Sequence, residues 1–247
     1  MKQRKSINFN IIKFLKNFCL FVFSKIKKKK INHKNNFIQN WKEKNDINLL
    51  QNYWIKENID IQINKFLDKI NKNNIQNILE IGSAAGGVLR AIYYNCPNVK
   101  NLYGTEFNIN FVNFGNTSAQ NEKIKNLRIY NLDISSNEVI KIFQDKKIDC
   151  IFTNFTLSQL KDDEDKILQL SAIIKNLQPQ YIYFGELFSF NNKIKFFKDM
   201  QDYFVPGRIL IDTENFYTNY NNYNFEILKS DRNNFGIKYT QIFGKKK

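Results

Sequence analysis

The residues best suited to chemistry stand in one short run, Ile78-Leu79-Glu80-Ile81-Gly82-Ser83-Ala84-Ala85-Gly86-Gly87, which holds three of the chain's nine glycines within six positions. Glycine at the end of a first strand lets the backbone turn sharply and approach a ligand closely. The free N–H groups of the next helix then face that ligand. The pattern predicts a nucleotide-type cradle; its plain alternative is a tight strand-to-helix turn that holds nothing. A dinucleotide fingerprint, G-x-G-x-x-G, wants glycine where Ala84 stands and has no use for Glu80, an acid two residues before the first glycine.

Other chemistries lack their residues. A single histidine, His33, and three cysteines without C-x-x-C spacing (Cys19, Cys96 and Cys150) argue against a zinc site, a disulfide framework and a Ser-His-Asp triad. Reduced thiols fit a cytoplasmic setting. The acidic run Asp162-Asp163-Glu164-Asp165 opens a helical stretch, where capping and dipole pairing account for it, and no metal is expected.

The elements that must position these residues follow from periodicity. Apolar residues at helical spacing over 49–70 predict one or two helices leading into a sheet. Strands are expected at 77–81, 101–105, 127–131, 148–153 and 181–184, separated by helices at 87–95, 108–121, 136–144 and 163–177. After 190 a helix over 193–204 and two late strands, 225–229 and 237–243, break the alternation. The expected fold is α/β: a Rossmann-like, doubly wound, seven-stranded, mostly parallel sheet with an antiparallel C-terminal hairpin strand and added N-terminal helices. Residues 1–42 read as a basic segment and linker. Residues 43–247 read as the main domain, with a helical lead-in over 43–74 and the core over 75–243.

The arrangement Glu80, Gly82, Gly86 resembles the first motif of the class I S-adenosylmethionine-dependent methyltransferases, and element order extends the resemblance over 75–243. It implies S-adenosyl-L-methionine as cofactor, held by Glu80, Gly82, Ser83, Ala84 and Gly86. A ribose offers two neighbouring hydroxyls, and Glu106, at the tip of the second strand about twenty residues past Gly86, can accept both. The same acid would serve NAD, and a solvated loop acid is its plain alternative. Asp133 and Ile134 resemble the family's adenine-binding position, an acid followed by a backbone N–H; Asp133 could instead cap the next helix. Phe107 is placed to pack on the adenine or to join the core.

Asn154, in 147–157, resembles the residue that the fourth motif delivers to the transferred methyl group. No Pro-Pro-Tyr follows it, which argues against methylation of exocyclic amines in nucleic acid. Hydroxyl acceptors usually need a proton acceptor or a metal; beside Asn154, the base candidates are Glu186, at the end of the fifth strand, and the cluster Asp162-Asp163-Glu164-Asp165. Ser158 and Gln159 stand where many small-molecule methyltransferases carry histidine. Acceptor recognition is expected from Tyr53 and Trp54 and from the aromatic, Asn-rich stretch 203–223, with Phe204, Phe216, Tyr217, Tyr220 and Tyr223.

Charge is uneven. Of the net +15, residues 1–42 supply twelve Lys/Arg and no acid, leaving 26 basic against 23 acidic residues and a net +3 for the rest. Within residues 8–30, Lys13, Lys16, Asn17, Ser24 and Lys27 share one helical face opposite Ile12, Leu15, Cys19, Phe23 and Ile26, a pattern suited to an anionic membrane surface or to packing on its own domain or another subunit. The uncharged run 17–24 is too short to span a bilayer. The combined reading is a cytoplasmic methyltransferase, peripheral on the inner membrane, acting on a sugar or lipid-linked glycan hydroxyl. Another small molecule, a protein or RNA as acceptor, a nicotinamide-dependent oxidoreductase and a non-catalytic cofactor-binding module stay open. Oligomeric state is not legible, and nucleic acid is not the expected partner.

Overall fold

The computed structural model describes residues 41, 43–157, 164–189, 211–212, 218–232 and 238–247. The basic segment 8–30, His33, the helix expected over 193–204, and Ser158, Gln159, Asp162, Asp163, Tyr203, Phe204, Phe216 and Tyr217 lie outside them.

The helical lead-in is three pieces rather than one or two: α1 (Ile47–Ile55), α2 (Ile59–Gln62) and α3 (Asn64–Lys72). The periodicity over 49–70 hides the breaks, which fall where Lys56 (φ 28°) and Asn58 (φ 57°) leave the right-handed region. Asp46 starts α1 by accepting from the Leu49 N–H at 2.8 Å. Helix α3 turns Phe66, Leu67 and Ile70 inward and places Lys69 and Lys72 in its last turn, complementing the dipole.

Alternation then runs β1 (Asn77–Ile81), α4 (Gly87–Asn95), β2 (Asn101–Glu106), α5 (Ile109–Asn121), β3 (Leu127–Asn131), α6 (Glu138–Phe143), β4 (Cys150–Asn154), α7 (Glu164–Leu177) and β5 (Tyr181–Ser189). A two-residue β6 (Ile211–Asp212) precedes the hairpin β7 (Tyr223–Arg232) and β8 (Lys238–Lys246). The sheet order is β3-β2-β1-β4-β5-β8-β7, with β6 paired in parallel to the end of β5. Strands β1 to β5 are parallel, and β8 runs antiparallel between β5 and β7. The seven expected strands form the continuous path, and β6 is an addition the sequence did not announce.

Strands β1 and β4 are buried almost throughout rather than alternately, as parallel strands covered on both faces must be. One face carries Trp54, Phe66, Phe111, Phe152 and Tyr183, with Phe66 stacked on Tyr183 at 3.8 Å. The other carries Leu79, Phe143, Ile151, Ile174 and Ile182. The chain winds outward from β1 through β2 to β3 and then returns to β4. That reversal opens a crevice at the carboxyl ends of β1 and β4, where such sheets bind ligands.

Candidate functional site

The turn after β1 is shaped by three left-handed residues: Gly82 (φ 75°), Ala84 (φ 47°) and Gly86 (φ 90°). A Cβ on Gly82 would stand 2.5 Å from the Thr156 side chain, so only glycine allows the loop after β4 to close over it. Ala84 carries a backbone conformation that glycine prefers. The absence of glycine at 84 therefore does not mark a different turn, and it separates the dinucleotide reading from the methyltransferase reading less sharply than the sequence suggested.

The loop also spends its N–H groups differently from expectation. Those of Gly82 and Ser83 both donate to Thr105 O at 2.9 Å, that of Ala84 to Glu106 Oε2 at 3.1 Å, and that of Gly86 to Ser83 O at 2.9 Å. Helix α4 makes its first internal bond from Arg90 N–H to Gly86 O, so the first-turn donors offered to a ligand are those of Gly87 and Val88 at the cavity wall.

Above this turn lies a cavity of about 350 Å³. Of the residues named from sequence, Glu80, Gly82, Ser83, Ala84, Glu106, Phe107, Asp133, Ile134 and Asn154 line it. Gly86 shapes the turn from behind and is not in the wall. The remainder of the lining includes Trp41, Asn52, Tyr53, Lys56, Phe155 and Thr156. Among these only Tyr53 was legible beforehand, as a candidate for acceptor recognition. Trp41, from the end of the expected linker, and Lys56, from the lead-in, are brought over by folding and carry no local motif.

Two buried carboxyls dominate the electrostatics. Glu106 accepts at Oε1 from Asn108 N–H (2.9 Å) and Trp41 Nε1–H (3.2 Å), and at Oε2 from Ala84 N–H. Burial still holds its pKa above the usual value, with those donors and the Phe107 N–H pulling the other way. Glu80 is buried, and its Oε2 has no hydrogen-bond partner. Desolvation pushes its pKa up to about 8, with Lys56 lowering and Glu106 raising it. A carboxyl left this way at a cavity wall suits a ligand that brings a positively charged donor. Asp133 does not cap α6, whose N-cap is Asn137; its Oδ1 instead accepts from Ser135 N–H (2.9 Å) and Oγ–H (2.8 Å), a local turn that points the segment at the cavity.

Glu186 is placed differently from the expectation of a base facing the reaction. It is fully buried and outside the cavity wall, and its Oε1 accepts from Thr153 Oγ1–H (2.8 Å), Thr156 N–H (3.1 Å) and Leu157 N–H (3.4 Å). These bonds fix the turn after β4, in which Phe155 is left-handed (φ 63°), and so set where Asn154 stands. Asn154 Oδ1 is buried without a partner. Trp54, expected at the acceptor site, is core: its Nε1–H donates to Glu122 at 2.8 Å. Tyr220 and Tyr223 are core too, bonded to Ser171 and to Pro179 O. Cys96 and Cys150 are buried thiols, Cys96 raised to about 11 by desolvation. Among the described residues no group of three His, Cys, Asp or Glu gathers to hold a metal, and no helix is long and apolar enough to cross a membrane.

No protein-family model matches the chain, and no curated protein matches it in sequence. Solved structures do match. Magnesium protoporphyrin IX methyltransferase (ChlM) from Synechocystis PCC 6803, solved with bound SAH, aligns with a TM-score of 0.57 at 10% identity, over 85% of this chain and 93% of that one. The N-terminal domain of EvdMO1 with SAH bound gives 0.57 at 10% identity, over 79% and 84%. The YcgJ protein from Bacillus subtilis gives 0.54 at 13% identity, over 73% and 97%. At such identities the likeness is one of fold.

Proposed function

Starting from the class I methyltransferase fold that these likenesses show, we propose that the chain is an S-adenosyl-L-methionine-dependent methyltransferase. The observation that carries this reading is the pairing of buried acids in one cavity, Glu106 at the tip of β2 and Glu80 near the end of β1, whose Oε2 has no hydrogen-bond partner. The bound cofactor would supply a methyl group on a sulfonium, ready for in-line displacement. Everything else falls to this chain's residues.

Glu106 would take the ribose, and Asp133 and Ile134 would take the adenine edge, with Phe107 against its face. Phe107 belongs to neither buried core cluster, which supports a role at the cavity. Glu80 and Lys56, an acid and a base on one wall, match the ammonium and carboxylate of an amino-acid zwitterion. Asn154, held by the turn that Glu186 secures, would position the acceptor beside the methyl group. Rate would come mainly from holding the acceptor close and in line in a water-poor site.

For the acceptor, the reading is a hydroxyl of a sugar or lipid-linked glycan. Its support is the cavity lining, which holds the amides Asn52 and Asn154 together with the aromatic residues Tyr53, Phe107 and Phe155, polar groups for a sugar's edges and apolar ones for its faces. The test is transfer of a labelled methyl group from S-adenosyl-L-methionine to a panel of sugars, glycolipids, proteins and RNA. Label on sugar or glycolipid is the expected result; label confined to protein or RNA would overturn the acceptor reading and keep the cofactor reading.

A further inference from the structure

Three hydrogen bonds already occupy the carboxylate that the proposed cofactor's ribose needs. A carboxylate offers about four lone-pair positions. Glu106 Oε1 takes Trp41 Nε1–H and Asn108 N–H, Oε2 takes Ala84 N–H, and the Phe107 N–H also lies near enough to lower the acid's pKa. Two vicinal hydroxyls therefore cannot both be accepted unless a donor leaves. Three of the four donors are backbone N–H groups fixed by the β1–α4 loop and the start of α5. Trp41 alone is a side chain.

We propose that Trp41 is a gate on the ribose end of the cavity: its indole N–H stands in for a ribose hydroxyl on Glu106 and must leave before a vicinal diol binds. The proposal rests on the cofactor reading above. Its hinge is visible in the anchoring. Asn108, the N-cap of α5, donates through Nδ2 to Trp41 O and to Lys44 O (3.1 Å), and Asn110 Nδ2 donates to Lys44 O (3.2 Å). The backbone of the gate is thus tied down by two amides. The indole, only half-buried, lies stacked on Phe111 at 4.7 Å and edge-on to Tyr53 at 5.2 Å, and of the four donors named on Glu106 it is the one whose removal needs a change of rotamer and not of backbone. Indole and ligand then compete for one carboxylate, and a ligand shifts the balance by the free energy it gains in the arrangement that frees Glu106.

The gate makes a prediction that a purely structural tryptophan does not. Trp41→Phe keeps an aromatic ring on Phe111 and deletes only the donor. Titration of the full chain with S-adenosylhomocysteine and with its 2′,3′-dideoxyribose analogue, on wild type and variant, reads the competition. The expected result is that Trp41→Phe binds S-adenosylhomocysteine about fivefold more tightly or better, with no gain for the dideoxy analogue. Wild-type tryptophan emission should shift on binding S-adenosylhomocysteine, a change absent from the variant, where only Trp54 emits. Equal or weaker binding of S-adenosylhomocysteine by the variant, with wild type still binding, overturns the gate and leaves the cofactor reading standing. Binding of S-adenosylhomocysteine by neither protein overturns both.

Discussion

Two tryptophan–glutamate pairs, 41 with 106 and 54 with 122, lie on the same side of the sheet and behave in opposite ways. Glu122, just past α5, accepts from Trp54 Nε1–H, Arg90 Nε–H and Tyr94 Oη–H, each at 2.8 Å. Burial pushes its pKa up, but Arg90, Trp54 and Tyr94 outweigh that and hold the carboxyl below its usual value. Glu106 has an indole donor too, but its remaining donors are backbone N–H groups and burial wins, holding it above the usual value. Burial and the Arg90 guanidinium together make the difference: Glu122, part-exposed and paired with a cation, is finished as structure, whereas Glu106, buried with neutral donors, keeps a demand that a ligand can meet.

The largest effects should separate these two acids by which property fails. Glu106→Ala should weaken binding of S-adenosylhomocysteine by about 2 kcal/mol or more, some thirtyfold, in a protein whose thermal transition shows it folded; unchanged affinity in the folded variant removes Glu106 from the ribose. Glu122→Gln should do the reverse, lowering unfolding free energy by about 1 kcal/mol at neutral pH while leaving affinity alone. Because the folded pKa of Glu122 is depressed, its contribution is present above the unfolded value of about 4.3 and disappears as pH falls through the folded one. Denaturant curves for wild type and Glu122→Gln should accordingly converge in acid. Curves that stay apart there would assign the loss to packing rather than to charge.

Glu80 sharpens the contrast further, being without a partner at Oε2. With its pKa at about 8, the carboxyl is mainly protonated at neutral pH, and a ligand ammonium should drive that proton off. Affinity for S-adenosylhomocysteine should then rise as pH approaches 8, by a few-fold, and the rise should vanish in Glu80→Gln. A flat pH profile in wild type would show that the ammonium is held elsewhere.

The central strands β1 and β4 were legible because parallel strands buried on both faces read as short apolar runs, and β1, the edge strand β3 and α4 span the residues expected of them. The Gly82 to Gly87 turn was legible for a different reason: its backbone conformations restrict residue type at fixed offsets. Ala84 shows the limit, since a left-handed residue need not be glycine. Glu186 was read as the end of the fifth strand, but β5 runs on to Ser189, and Thr153 and Thr156, which hold Glu186 away from the cavity, belong to a neighbouring strand and its loop. Trp41 was invisible as a site residue, since its bond to Glu106 spans 65 positions and no local pattern encodes it.

The proposed function puts S-adenosyl-L-methionine in one cavity, between Glu80 and Glu106. Calorimetric titration of the full chain with S-adenosylhomocysteine, NAD and NADP, each run in phosphate and in Tris at pH 7, tests it most directly. Micromolar binding of S-adenosylhomocysteine alone, with a heat that differs between buffers because a proton leaves Glu80, is the predicted result. Binding of a nicotinamide cofactor instead, or of none of the three, would contradict the claim.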